Sequence, residues 1–301
     1  MSDRDAFLAA IHDAPDDDAP RLVFADWLEE NGEPERAEFI RVQMEMRRER
    51  ERHNNATLRL GKLFLRQKEL FSRPWADIAR RCGASEIARY SRGFPGRLTM
   101  SAETFVAVGL DVVVWIGPQT RVSLCECAGK MGTVANQTSL SHVRLLTIGH
   151  GSDENRHSDQ DVADFLKSPY LSSLHDLEIR PSHIDESAGT ALLSSAVAVA
   201  IASSKSLTGL RNLNLSRISI GAEGLAALAG APQLTPLRVL ILSSEGWSRF
   251  DIGALLNNHH FANLESLVVV EDVAPAVLDQ LNGHFGPGVI RARVIGAGSP
   301  R

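Results

Sequence analysis

One pattern limits what this chain can fold into more than any other. Short apolar pairs, their two members separated by a single residue, recur along its last two thirds. They are Leu98/Met100, Val122/Leu124, Leu146/Ile148, Leu177/Ile179, Leu213/Leu215, Leu240/Leu242 and Leu267/Val269, continued by Ala292/Val294. Alternation of this kind places both members of a pair on one side of a β-strand. Four units add a leucine three residues ahead of the pair, at Leu174, Leu210, Leu237 and Leu264. Helix-length apolar segments lie between pairs: 162–166, 192–201, 225–228 and 277–281. A unit of one strand and one helix cannot bury its apolar side alone, so neighbouring units must stack. The spacing therefore predicts a right-handed solenoid of seven or eight parallel strands, with helix or irregular chain outside.

The first ninety residues follow a different period. Phe7, Leu8 and Ile11 fall on one face of a helix that Asp3 can cap. A second helix is expected from about Ala19 to Asn31, stopped by Gly32 and buried through Leu22, Val23, Ala25, Trp27 and Leu28. Pro34 suits a first helical turn, and Phe39, Ile40, Val42, Met44 and Met46 continue that helix. A break at His53-Asn54-Asn55 precedes a fourth helix, about Ala56 to Phe71, with a shorter one from Pro74-Trp75 to Gly83. The expected class is α/β: an all-helical head with connecting helices over residues 1–93, then a solenoid with a parallel inner sheet and outer helices over 94–301.

Charge is segregated along the chain. The formal total of −5 divides into −9 for residues 1–40, +9 for 41–97 and −5 for the remainder. Such asymmetry marks either an interaction surface or an acidic segment folded back on a basic one.

Residues Asp17-Asp18-Ala19-Pro20-Arg21-Leu22-Val23-Phe24-Ala25-Asp26-Trp27-Leu28-Glu29-Glu30-Asn31-Gly32, followed by Arg36-Ala37-Glu38-Phe39-Ile40-Arg41-Val42-Gln43, closely resemble the bacterial repeat-companion domain. Arg92-Gly93-Phe94 resembles the junction such proteins use. The remainder is similar to ribonuclease-inhibitor-like leucine-rich repeats. The resemblance implies a helical head on a curved solenoid and no established activity. The chain departs from the usual repeat where an Asn follows the strand, since those sites hold Gly151, Ser182, Ile218, Glu245 and Asp272. Less regular turns are expected there.

No catalytic motif emerges. There is no G-x-S-x-G, H-E-x-x-H or G-x-x-x-x-G-K-[ST], and Gly129-Lys130-Met131-Gly132-Thr133 lacks the spacing that cradles phosphate. Cys125-Glu126-Cys127 with His142, His150 or His157 does not supply four converging zinc ligands. Asp16-Asp17-Asp18 lacks the alternating ligands of a calcium loop and suits a helix N-terminus instead. His259-His260 reads as a helix end. No enzyme activity, cofactor or metal is expected. No apolar stretch reaches the length of a membrane span, and the start of the chain lacks a secretory pattern, so a cytoplasmic chain with no membrane partner is expected.

Two binding readings follow. In the first, the chain is a scaffold whose inner face binds an unidentified protein, its oligomeric state left open. If Leu240/Leu242 and Leu267/Val269 face the core, then Val239, Ile241, Val268 and Val270 face inward, with Arg291 and Arg293 as a charged rim. Earlier units hold Thr99, Ser123, Thr147, Glu178 and Asn214 in the middle of that face. A C-terminal segment, Phe285 to Ile295, folding over the apolar patch is the competing arrangement. In the second reading, Arg47, Arg48, Arg50, Arg52 and Arg59 bind nucleic acid or another polyanion.

Overall fold

The computed structural model describes residues 3–14, 16–53, 57–70, 86–117, 119–149, 157–181, 193–243, 252–256, 260–270, 274–286 and 288–293. The nine described strands follow chain order in an open, mostly parallel sheet. Two compact units divide between Val122 and Ser123, not at residue 93, where the periodicity changes. Strand pairing explains the difference. Strands β1 (Glu86–Ser91) and β2 (Phe94–Ser101) form an antiparallel hairpin with Tyr90 opposite Pro95, so hydrogen bonds tie the two sides of residue 93 together.

The first unit opens with helices α1 (Asp3–Asp13), α2 (Ala19–Glu30), α3 (Pro34–Arg52) and α4 (Leu58–Leu70). Asp3 and Asp5 occupy the first turn of α1, where negative charge suits the helix dipole. Helix α2 buries Phe24, Ala25 and Leu28, while Leu22 and Trp27 are half-buried and Val23 is 52% exposed. The expected face was thus misplaced toward Val23. Phe24 is the centre, with ring centroids 6.0 Å from Phe7, 6.1 Å from Trp27 and 6.4 Å from Phe94. Phe39 and Ile40 are fully buried as expected, and Asp26, Glu29 and Glu30 are exposed.

Two arginines are also buried here. Arg36 lies over Phe24, its guanidinium carbon 5.5 Å from the ring centroid and one nitrogen 3.5 Å from Glu33. Burial pulls its pKa down to about 10, against the raising effect of Glu33. Arg21 donates from Nη1 to the Asp17 carbonyl at 2.6 Å.

Gly93 seats the hairpin on α3. Its φ is +85°, and a Cβ there would lie 2.3 Å from Ile40 Cγ1 and 2.8 Å from Ile40 Cα. Only glycine meets both demands. Its N–H donates to Gln43 Oε1 at 3.1 Å. Helix α5 (Ala102–Trp115) follows β2, and Ser101 Oγ caps it by accepting from the Thr104 N–H at 3.0 Å.

Strand β3 (Arg121–Cys125) spans the boundary. In the second unit, β4 (Leu145–Ile148), β5 (Asp176–Ile179), β6 (Asn212–Leu215), β7 (Val239–Ser243), β8 (Ser266–Val270) and β9 (Ile290–Arg293) pair in parallel, each with the next. Helix α6 (Met131–Ala135) lies between β3 and β4, and between the later strands lie α7 (Asp159–Leu166), α8 (Ser195–Ser203), α9 (Gly221–Ala229), α10 (Gly253–Leu256) and α11 (Pro275–Phe285). Leu146, Leu177, Leu213, Leu240 and Leu267 stand in one register and are all buried. The last strand departs from expectation: Ile290, not Ala292, pairs with Leu267, and Val294 lies outside the described residues.

Of the sites expected to lack the repeat asparagine, Ile218 is buried and the other four lie outside the described residues. A different polar ladder joins successive helix ends. Ser168 Oγ donates to Ala135 O (2.5 Å), Ser204 Oγ to Leu166 O (2.8 Å) and Gln233 Nε2 to Ala202 O (2.6 Å). Asn263 Nδ2 donates to Thr235 O at 3.0 Å. The first three carbonyls belong to the last residues of α6, α7 and α8, where the helix leaves acceptors without internal partners.

Candidate functional site

Strand alternation sorts the second unit into two rows. The register Thr147–Glu178–Asn214–Ile241–Val268–Arg291 runs across β4 to β9 on the side opposite the leucine core. Beside it, Asp176, Asn212, Val239 and Ser266 form a parallel row. Exposure changes along this face. Thr147 on β4 is buried, Glu178, Asn214, Ile241 and Val268 are half-buried, and Arg291 is exposed; Thr99 on β2, in the first unit, and Ser123 on β3 are buried as well.

Of the six expected site residues, Val239, Ile241 and Val268 are brought together, half-buried, with Arg291 at the side of Val268. Val270 is a correction. It is 4% exposed, and its register partner Ser243 is 2% exposed. Alternation fixes the side of a sheet a residue faces but not what covers it, so this end of the row is closed. The same reasoning corrects Thr99, Ser123 and Thr147, read from the sequence as an open polar column. Arg293 lies on β9 opposite Val270, and its side chain is outside the described residues. Residues 290–293 extend the sheet as β9 instead of folding over the apolar residues.

The polar part of the face is organised around Glu178. Its carboxylate accepts from Thr147 Oγ1 (3.1 Å), Arg180 Nε (2.7 Å) and Asn214 Nδ2 (3.1 Å). Asn212 Nδ2 donates to Asp176 Oδ2 at 3.3 Å. Just before the strands stand Arg144, His175, Arg211, Arg238 and Glu265, linked by backbone hydrogen bonds. Burial holds the His175 pKa below its ordinary value, and neighbouring Arg211 and Arg144 push the same way. The face thus passes from a hydrogen-bonded carboxylate network to three branched apolar side chains and then a cation. Sequence reasoning missed the Glu178 network, although Glu178 and Asn214 occupied the same middle column.

Cys125 and Cys127 form no disulfide among the described residues; the first is half-buried and the second buried, with Sγ 3.5 Å from the Leu124 carbonyl. His142 is exposed and His157 buried, while His150 and His259 lie outside the described residues. Among the described residues no group of three or more His, Cys, Asp and Glu could hold a metal.

The arginines of the polyanion reading behave unequally. Arg47 pairs with Glu51 at 2.6 Å and lies 3.7 Å from Asp18, and Arg59 pairs with Glu45. Arg48, Arg50 and Arg52 are exposed and form no ion pair among the described residues. Other basic residues of 41–97 are also answered by acids. Arg41 reaches Asp26 and Glu29, both at 2.7 Å, and Arg66 reaches Glu38 at 2.7 Å and Glu69 at 2.9 Å. Hydrogen bonding from Arg66 holds the Glu38 carboxyl below the usual carboxylate range. A cleft of about 340 Å³ in this unit is lined by Arg47, Arg50, Glu51, Phe64, Tyr90 and Arg92, among others. The second unit has a larger groove of about 710 Å³ beside α7 and α8. There the hydroxyls of Ser168, Ser204 and Ser206 already donate to backbone carbonyls. Neither a protein-family model nor a curated protein matches the chain.

Proposed function

We propose that the chain is a leucine-rich-repeat solenoid headed by a repeat-companion module, and that it acts as a non-catalytic scaffold binding a protein partner through its strand face. The recurring apolar pairs and their one-to-one parallel register support the solenoid. One observation carries the binding reading: Ile241 and Val268 stand side by side, half-buried, in a row whose earlier members are polar. Branched side chains left partly open on two adjacent strands favour an apolar partner surface. Arg291 beside them supplies a charged edge to the patch.

The test is the double variant Ile241→Asp and Val268→Asp. The native chain should capture a defined set of proteins from the source cell, identified by mass spectrometry. The variant should lose them while its thermal unfolding stays close to native. Capture that persists in a folded variant would remove the face from consideration. The exposed Arg48, Arg50 and Arg52 keep nucleic-acid binding as the alternative. Its signature would be binding that weakens steeply with salt and disappears on charge reversal of these three residues.

A further inference from the structure

Helix α4 carries more apolar surface than the fold uses. It packs through one stripe, Leu60, Leu63, Gln67 and Leu70, which are half-buried or buried, and its other nine residues are exposed. A surface helix needs one such stripe. A second stripe looks outward, with Leu58 81% and Leu65 62% exposed, while Phe64, 55% exposed, lies further round the helix and lines the cleft beside Arg47 and Tyr90. These are three of the five large hydrophobic residues exposed among the described residues. Leu58 and Leu65 stand two turns apart on one side of the helix, and nothing approaches within 4 Å of a Cβ built at Gly61 between them.

The cations of α4 divide the same way. Arg59 and Arg66 are tied back to Glu45 and Glu38 of α3. Lys62 and Lys68 are exposed, form no ion pair among the described residues, and flank the line from Leu58 to Leu65 on opposite sides. Thr57 Oγ1 donates to Glu49 at 2.7 Å. That bond sets the start of α4 beside the end of α3, where Arg48, Arg50 and Arg52 are exposed.

We propose that α4 is a membrane-surface helix, docking the first unit on an anionic lipid bilayer through its second apolar stripe and its exposed lysines. This inference goes beyond the scaffold reading, which concerns the second unit alone. An interfacial helix combines an apolar face with lysine and arginine, and long lysine side chains reach headgroups while their stems stay among apolar groups. Positive charge around the stripe complements anionic headgroups. A stable protein interface needs roughly 800 Å² from each partner and matched shapes. Two leucines on one helix fall short of that, whereas a bilayer requires no shape match.

The experiment is co-sedimentation of the full chain with vesicles of phosphatidylcholine alone and of phosphatidylcholine with phosphatidylglycerol. The native chain should partition onto the anionic vesicles, less so as salt rises. Leu58→Ser with Leu65→Ser, and separately Lys62→Glu with Lys68→Glu, should each weaken partitioning about tenfold or more. Lys205→Glu, which reverses an exposed lysine of the second unit, should leave it unchanged. Circular dichroism checks that each variant is folded, and the lysine pair stands as an independent arm should the leucine pair unfold. The proposal is overturned if the native chain stays in the supernatant, or if Lys205→Glu weakens binding as much as the α4 lysine pair. It is equally overturned if the native chain sediments as a dimer that the leucine variant disperses, since the stripe would then belong to a second copy.

Discussion

The two units solve the burial of polar groups in opposite ways. The first unit buries arginines among aromatic rings and closes its helices with charged pairs, most of them exposed. Arg36 over Phe24 and Arg66 against Glu38 represent the two kinds. The second unit buries hydroxyls and amides, each donating to a carbonyl at the end of the preceding helix. Exposed ion pairs contribute little each and weaken with salt. Buried neutral hydrogen bonds are insensitive to salt and costly to leave half-made. The comparison implies that electrostatics sets how the first unit's helices register, whereas the second unit depends on repeated local bonds over a leucine core.

The largest expected effects test whether each unit has its own core. Phe24→Ala should destabilise the first unit by about 3–5 kcal/mol, and Leu213→Ala the second by about 2–5 kcal/mol, both side chains being almost fully buried. Hydrogen exchange followed residue by residue should show protection lost chiefly in the unit mutated. Equal loss in both would break the comparison and make the chain a single cooperative block.

A smaller effect sharpens the account of the ladder. Ser204→Ala should cost about 1–3 kcal/mol by stranding the buried Leu166 carbonyl, a loss that 1 M salt does not change. Denaturant unfolding at low and high salt separates this from Arg41→Gln, whose small cost should vanish in salt. If Ser204→Ala proves neutral, the rungs are incidental.

Acid should separate the units by a still smaller margin. His175 is held below its ordinary value of 6.5, so as pH falls past that value the unfolded chain takes a proton the folded chain resists. Stability of the second unit therefore begins to fall from about pH 6.5. Glu38, held below 4.5, stabilises the first unit above that pH, and the contribution is lost only as pH drops further. Thermal melts from pH 7.5 to 4, with His175→Gln as reference, should show the first decline disappearing in the variant. A decline that persists unchanged would remove His175 as its origin.

Much of the second unit was legible because alternation and recurrence reinforce each other. All eight apolar pairs fall at least partly on strands, and the leucines of five of them stand in the predicted register. The last pair slipped by two residues for a physical reason. Ile290-Arg291-Ala292-Arg293-Val294 alternates over five positions, so two registers satisfy the same pattern and only the neighbouring strand decides between them. The face of α2 was misplaced because Leu22-Val23-Phe24-Ala25 is continuously apolar and lacks the gaps that reveal a helical period. The ion pairs were illegible because they join residues such as 38 and 66, which no local pattern links. At the candidate face, Val239, Ile241 and Val268 could be read from alternation. The burial of Val270 could not, because coverage is a property of the surrounding structure.

The ladder also bears on how such a chain can change length. Its rungs join residues 33, 38, 31 and 28 positions apart, yet the strands that follow remain paired one to one. Each rung reaches back by a single unit. An insertion between a rung and the next strand therefore leaves every other rung unaltered, and duplicating a whole unit creates one new rung without severing an old one. Chain length becomes a variable that replication errors can alter in steps, with the cost confined to the unit that changed.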